Sequence, residues 1–291
     1  MRWFMGEFIL NFAPTGMVPT KNMNENVPIS VSEIVEDVLQ AAEFGASMAH
    51  IHARDKVTEK PIISKEVYGE IISGIRKYNK DIIICVSLSG RNVFDPHQRA
   101  LPLDLEGDLK PDMGSLTLSS LNFINQASVN APETIQFLAA TMKEKFISPE
   151  IEIFDTGMAN YIGFLEKKEL LPKSIYANIL LGNIFGAQSN FSNISAILSN
   201  IPNNVICSFA GLGSYQLQAT SLSLSSGYGV RIGLEDNIWY DKQRTIPASN
   251  ENLIKRIIRL AEEFEIIPAK PTDVRKRLGL ASGHGHYGLL Q

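Results

Sequence analysis

Residues 31–52, VSEIVEDVLQAAEFGASMAHIH, hold a helix and the strand that follows it in one short stretch. The first part, VSEIVEDVLQAAEFG, reads as an amphipathic helix, with Ser30 or Ser32 as its N-cap and Gly45 closing it. The second part, ASMAHIH at 46–52, is a short apolar run of the kind expected from a strand covered on both faces. Reading outward, equivalent apolar runs stand at 7–13, 81–88 and 114–119, then at 150–155, 175–181, 204–210 and 229–234. Helical patterns lie between them, among them SKEVYGEIISGIRKY, APETIQFLAATMKEKF, TGMANYIGFLEKKEL and NENLIKRIIRLAEEF. Such alternation predicts a parallel sheet. Eight strand candidates in 291 residues fit a closed α/β TIM (β/α)8 barrel better than an open, doubly wound sheet. No G-x-G-x-x-G fingerprint follows the first strand, which argues further against the open sheet.

The barrel is expected to occupy residues 1–280 as a single catalytic domain, with 281–291 (ASGHGHYGLLQ) as a loose C-terminal tail. Residues 1–13 read as the first strand and not as a leader, because Glu7 and Asn11 interrupt the apolar run. Segment 91–113, polar and bearing prolines, is expected to form an irregular loop with a short helix.

Composition narrows the function. Twenty-seven basic against 31 acidic residues give a net charge of −4, so no basic excess is available for a nucleic-acid backbone. The apolar stretches are far shorter than a membrane-spanning helix requires. Cys85 and Cys207 sit inside apolar runs and read as buried, reduced thiols, which points to the cytoplasm.

If the fold is a barrel, its chemistry belongs at the strand C-termini. His50-Ile51-His52 ends the second strand candidate. Residues i and i+2 of a strand point to one side, so both imidazoles converge while Ile51 faces the helices. Two neutral imidazoles on one face suit Zn²⁺ or a similar divalent metal. Glu235, at the end of the last strand, is the third ligand candidate, and a His₂Glu set leaves room for a substrate oxygen or water. The HxH pattern also opens amidohydrolase barrels, but no strand from 114 to 234 ends in the further histidine that chemistry needs. Ser87 and Ser89 follow the third strand, Ser119, Ser120 and Asn122 the fourth, and Glu152 and Asp155 lie in the fifth. Hydroxyls and amides at such positions can donate to a substrate carboxylate. Asp55 is read either as an outer partner of an imidazole or as the local partner of Arg54.

With these residues in place, the chain resembles the β-keto acid cleavage enzymes. The resemblance runs through APTGMVPTK (13–21), the 27–55 segment ending in HIHARD, PEIEIFDTGM (149–158) and VRIGLEDN (230–237). It implies a TIM barrel, Zn²⁺ on His50, His52 and Glu235, and a homotetramer. It also implies a reaction in which a β-keto acid and acetyl-CoA give acetoacetate and a new acyl-CoA. Ser87 takes the place of the family's carboxylate-binding serine, and Ser120 keeps a hydroxyl where a relative acting in lysine fermentation has threonine. Arg231 and Asp236 match a catalytic Arg/Asp pair. Where that relative has a glutamate recognising an amino group, this chain has Pro14, which argues against that substrate.

Asp236 is the expected general base. Arg231 is a poor base because a guanidinium stays protonated, so it is expected to position Asp236, with Glu152 in a supporting acid–base role. Thr15, Met17, Leu88 and Leu121 are expected to shape specificity. Two alternatives are a metal-dependent aldolase or lyase that works without CoA, and a non-catalytic metal- or ligand-binding barrel. The His284/His286 pair in the tail is a further place to look for a metal.

Overall fold

The computed structural model describes residues 6–290; residues 1–5 of the expected first strand and Gln291 of the tail lie outside them. Eight parallel strands close into a barrel: β1 (Leu10–Phe12), β2 (Met48–Ile51), β3 (Ile83–Val86), β4 (Met113–Thr117), β5 (Ser148–Ile153), β6 (Ile175–Leu181), β7 (Val205–Gly211) and β8 (Gly229–Ile232). Each pairs with its sequence neighbours, and β8 closes back on β1 through Val230–Leu10, Arg231–Asn11 and Ile232–Phe12. The chain is therefore the single-domain TIM barrel that the alternating pattern predicts.

The helices form as their caps dictate. Helix α1 (Val31–Glu43) starts at Ser30, not Ser32: the Ser30 hydroxyl accepts from the Glu33 N–H while the Glu33 carboxylate accepts from the Ser30 N–H at 2.9 Å. This capping box satisfies two of the donors that a helix start leaves unpaired. Ile34, Val35, Val38 and Ala41 of α1 turn inward against the barrel. Helix α2 (Lys65–Arg76) is capped by the Ser64 hydroxyl, which accepts from the Val67 N–H with no reciprocal carboxylate, and it buries Ile71, Ile72 and Ile75. Segment 91–113 contains the short helix α3 (Pro96–Ala100) and two 3₁₀ turns, as its composition suggests. After β4 an antiparallel hairpin, Leu121–Asn122 with Ala127–Ser128, stands at the barrel's C-terminal mouth.

The tail is not loose. The last helix (Pro271–Leu278) places Arg275 against Asp112 at 2.8 Å, next to the start of β4. The tail then folds over the same end: Gly288 N–H donates to Asp112 at 3.1 Å and Leu289 N–H to the Phe146 carbonyl at 2.6 Å. Tyr287 is buried with the Arg76 guanidinium 3.3 Å above its ring. Asp112 is wholly buried, and two arginines and the backbone N–H groups of Ile84 and Gly288 meet its charge, which ties the tail to the N-terminal end of the barrel. His284 and His286 are exposed there, His284 pairs with Asp81 at 2.9 Å, and neither comes near the opposite mouth.

Candidate active site

At the C-terminal mouth, β2 presents His50 inward and His52 follows just beyond the strand, while Ile51 is buried on the helix side. The two Nε2 atoms lie 3.1 Å apart. Glu235, three residues past β8, brings Oε1 to 3.2 Å from His52 Nε2 and 3.9 Å from His50 Nε2. Gly16, after β1, makes room for it: the glycine has φ +71°, and a Cβ there would fall 2.4 Å from Glu235 Cγ. Two ~2.0–2.1 Å bonds at a tetrahedral angle set ligand atoms ~3.3 Å apart, so these three groups fit one divalent ion. Glu235 Oε2 is buried with no hydrogen-bond partner, a further acceptor left for a cation.

The layer beneath explains how the first imidazole is aimed. His50 Nδ1–H donates to Glu150 Oε2 at 2.5 Å, which leaves the Nε2 lone pair free for a metal. The other Glu150 oxygen accepts from Asn11 at 2.5 Å and Asn178 at 2.7 Å, and Tyr176 and Ser208 continue the network at 2.8 Å. All five of these residues are buried in the barrel interior. Burial raises the Glu150 pKa, but His50 and its other partners outweigh it and hold the carboxyl at about 2. Burial lowers the His50 pKa, yet Glu150 and Glu235 prevail and bring the metal-free imidazole to about 9. Burial dominates at His52, whose pKa falls.

Arg231 joins the second half of the site. Its Nε and Nη2 donate to the two oxygens of Asp236 at 3.1 and 3.3 Å, Nη2 meets Glu235 at 2.8 Å, and Nη1 reaches Glu152 at 3.5 Å. Glu152 also accepts from the Thr117 hydroxyl at 2.6 Å. Burial raises the Asp236 pKa, with Arg231 opposing and Glu235 adding to the rise. One cavity is lined by His50, His52, Ser87, Glu152, Arg231, Glu235 and Asp236.

The structure thus gathers the expected ligands, Arg231, Asp236, Glu152 and Ser87. It sends others elsewhere. Thr15 is fully buried and donates to the Pro28 carbonyl at 3.0 Å. The Ser120 hydroxyl accepts from Asn130 N–H at 2.8 Å, and Asn122 is an exposed hairpin residue, so neither stands among the cavity's walls. Met17 and Leu121 line it, whereas Leu88 packs in the core. Asp155 caps the helix Thr156–Lys167 by accepting from Met158 N–H. Asp55 takes neither expected role: it is outside the site and accepts from Val57 and Thr58, while Arg54 binds the carbonyls of Gly16, Pro19 and Glu59. Sequence reasoning missed Glu150, although the alternation Glu150-Ile151-Glu152 puts both acids on the interior side of β5. It also missed Arg91, for which a polar loop offers no periodic signal.

The model of the beta-keto acid cleavage enzyme family matches residues 7–280. This chain belongs to that family. It is 34% identical over 278 residues to the 3-oxoadipate:acetyl-CoA acetyltransferase of Cupriavidus necator, covering 94% of this chain and 95% of that one. It is 31% identical over 277 residues to the 3-keto-5-aminohexanoate cleavage enzyme of Fusobacterium nucleatum, with 95% and 99% covered. A solved ternary complex of ObcA with a C4-CoA adduct and oxalate shares the fold of this β-keto acid cleavage enzyme, with a TM-score of 0.75 at 18% identity over 88% of this chain and 68% of that one. Among the described residues of this family member, no helix is long and apolar enough to cross a membrane.

Proposed function

We propose that this chain exchanges acyl groups between a β-keto acid and acetyl-CoA, giving acetoacetate and a new acyl-CoA, with Zn²⁺ or a similar ion on His50, His52 and Glu235. One observation carries the reading: the three converging ligand atoms stand beside the Arg231–Asp236 pair in a single cavity at the barrel mouth. An ion held there supplies a Lewis acid for the ketone oxygen.

The protein's own residues do the rest. Asp236 takes a proton from C2, the carbon between ketone and carboxylate. Burial raises its pKa, which makes the carboxylate a stronger proton acceptor than an ordinary aspartate. Arg231, forked onto Asp236, fixes that carboxylate and stays cationic as negative charge develops. Glu152, tied to Thr117 and Arg231, supports the proton movements from the β5 side. Ser87 offers a hydroxyl to the substrate carboxylate. Carbon C2 bonds to the acetyl carbonyl carbon as the acetyl–sulfur bond breaks and frees the CoA thiolate. The thiolate then adds to C3, the C2–C3 bond breaks, and Asp236 returns its proton to C2, which leaves acetoacetate and an acyl-CoA carrying the carbonyl that was the ketone.

Cys85 and Cys207 are free, buried thiols, the pattern expected of a chain that works in a reducing compartment, the cytoplasm. A homotetramer follows from the family resemblance and is checked by sedimentation.

Elemental analysis of the purified protein, paired with a β-keto acid screen in the presence of acetyl-CoA, tests the proposal. One equivalent of divalent metal per chain and acetoacetate release are expected. Cleavage without CoA would favour a lyase, and metal binding with no turnover across the screen would reduce the barrel to a binding protein.

A further inference from the structure

Five arginines of the described chain are buried, and each spends its guanidinium on acceptors. Arg54 and Arg99 donate to backbone carbonyls, Arg76 and Arg275 meet Asp112, and Arg231 is held by Asp236. Arg91 is different. It lines the cavity that holds His50, His52 and Asp236. Its guanidinium stacks 3.6 Å above the Phe123 ring. Its backbone N–H finds Ser89, but among the described residues no carboxylate or carbonyl accepts from the guanidinium itself. A guanidinium stacked by its face keeps its in-plane N–H donors for another partner, and that fork matches a carboxylate.

The surroundings say which carboxylate. Every β-keto acid carries one carboxylate two bonds from its ketone carbon, so that group must stay near the metal-ligand cluster and Ser87. Arg91 lines the same cavity but is stacked on its aromatic wall, on the Phe123 ring that meets Phe154 edge to face at 5.7 Å. Leu180 and Leu212 also line the cavity, and such apolar surface suits a short methylene chain between two carboxylates.

We propose that Arg91 binds a second carboxylate at the far end of the substrate, so that this chain acts on 3-oxo dicarboxylic acids. The inference rests on the acyl-exchange reading above.

Two measurements on the metal-loaded wild type, Arg91→Met and Arg91→Lys test it. The first is the ratio of kcat/KM for 3-oxohexanedioate to that for 3-oxohexanoate. The wild type is expected to favour the diacid, and the ratio to fall about 10- to 100-fold in Arg91→Met, as loss of a charged hydrogen-bond partner predicts, with partial recovery in Arg91→Lys. An equal loss for both acids, or a wild-type preference for the monoacid, overturns the proposal. The second is calorimetric binding of the unreactive hexanedioate against hexanoate. If no β-keto acid is turned over but hexanedioate binding depends on Arg91, the assignment stands and the acyl-exchange reading fails. Diacid binding that is the same in all three proteins overturns the assignment whatever the activity.

Discussion

His50 Nδ1–H donates to Glu150 Oε2 at 2.5 Å, joining β2 to β5 through the middle of the barrel. The bond sets the tautomer that turns Nε2 toward His52 and Glu235. Asn11 and Asn178 hold Glu150 in turn, so the metal cradle rests on a buried polar layer and not on the loops above it.

Glu150→Gln keeps the shape but removes the charge. Metal affinity is expected to fall about 10- to 100-fold, the usual effect of losing such a supporting carboxylate, as measured by competition with a chelator. Glu150→Ala also strands two buried amides, so it is expected to melt below Glu150→Gln. Unaltered metal affinity in both variants removes Glu150 from the site.

Gly16→Ala tests the approach of Glu235. A methyl group at φ +71°, 2.4 Å from Glu235 Cγ, has to displace that side chain. Metal content measured by elemental analysis is expected to drop sharply while the circular dichroism spectrum of the barrel persists, because Gly16 lies outside the strands. Full metal occupancy in a folded Gly16→Ala protein argues against Glu235 as a ligand.

Asp236→Asn retains the size of the side chain and an acceptor for Arg231 but cannot take a proton. Turnover is expected to fall about 10²- to 10⁴-fold, the range for losing a general base, with metal content intact. Near-normal turnover removes Asp236 from the mechanism.

Asp37 gives the fold a pH dependence. Burial raises its pKa to about 6, against the opposing Asn250 hydrogen bond at 2.7 Å. Asn250 also holds Leu234 N–H and the Pro14 carbonyl, so this contact braces the loop that carries Glu235. A carboxyl protonated more readily in the folded chain adds stability below its unfolded pKa of about 3.9, and that contribution is lost as pH rises through its folded value. Wild-type stability is therefore expected to decline relative to Asp37→Asn between about pH 4 and 6, on the order of 2 kcal/mol by urea denaturation. Parallel profiles for the two proteins refute this.

Much of this architecture was legible before any coordinates. The eight apolar runs recur with helical segments between them, and a parallel strand buried on both faces cannot hide that signature. His50 and His52 were legible for the same reason, since strand parity alone puts them on one side. Ser30 and Ser32 were equally good caps on paper, and Glu33 chose between them by closing its box on Ser30.

What the one-dimensional pattern settled was the barrel and the strand ends where chemistry belongs, because periodicity and capping are local properties of the chain. Three-dimensional packing alone chose Glu150 over Asp55 as the partner of an imidazole, turned Thr15 and Ser120 to backbone duties, and pinned the tail beneath Asp112. It also left Arg91 stacked on Phe123 with its donors unspent. These meetings join groups from 10 residues apart, at Ser120 and Asn130, to 176, at Asp112 and Gly288, because burial of a polar group demands whatever partner the fold brings near, and sequence spacing carries no record of that choice.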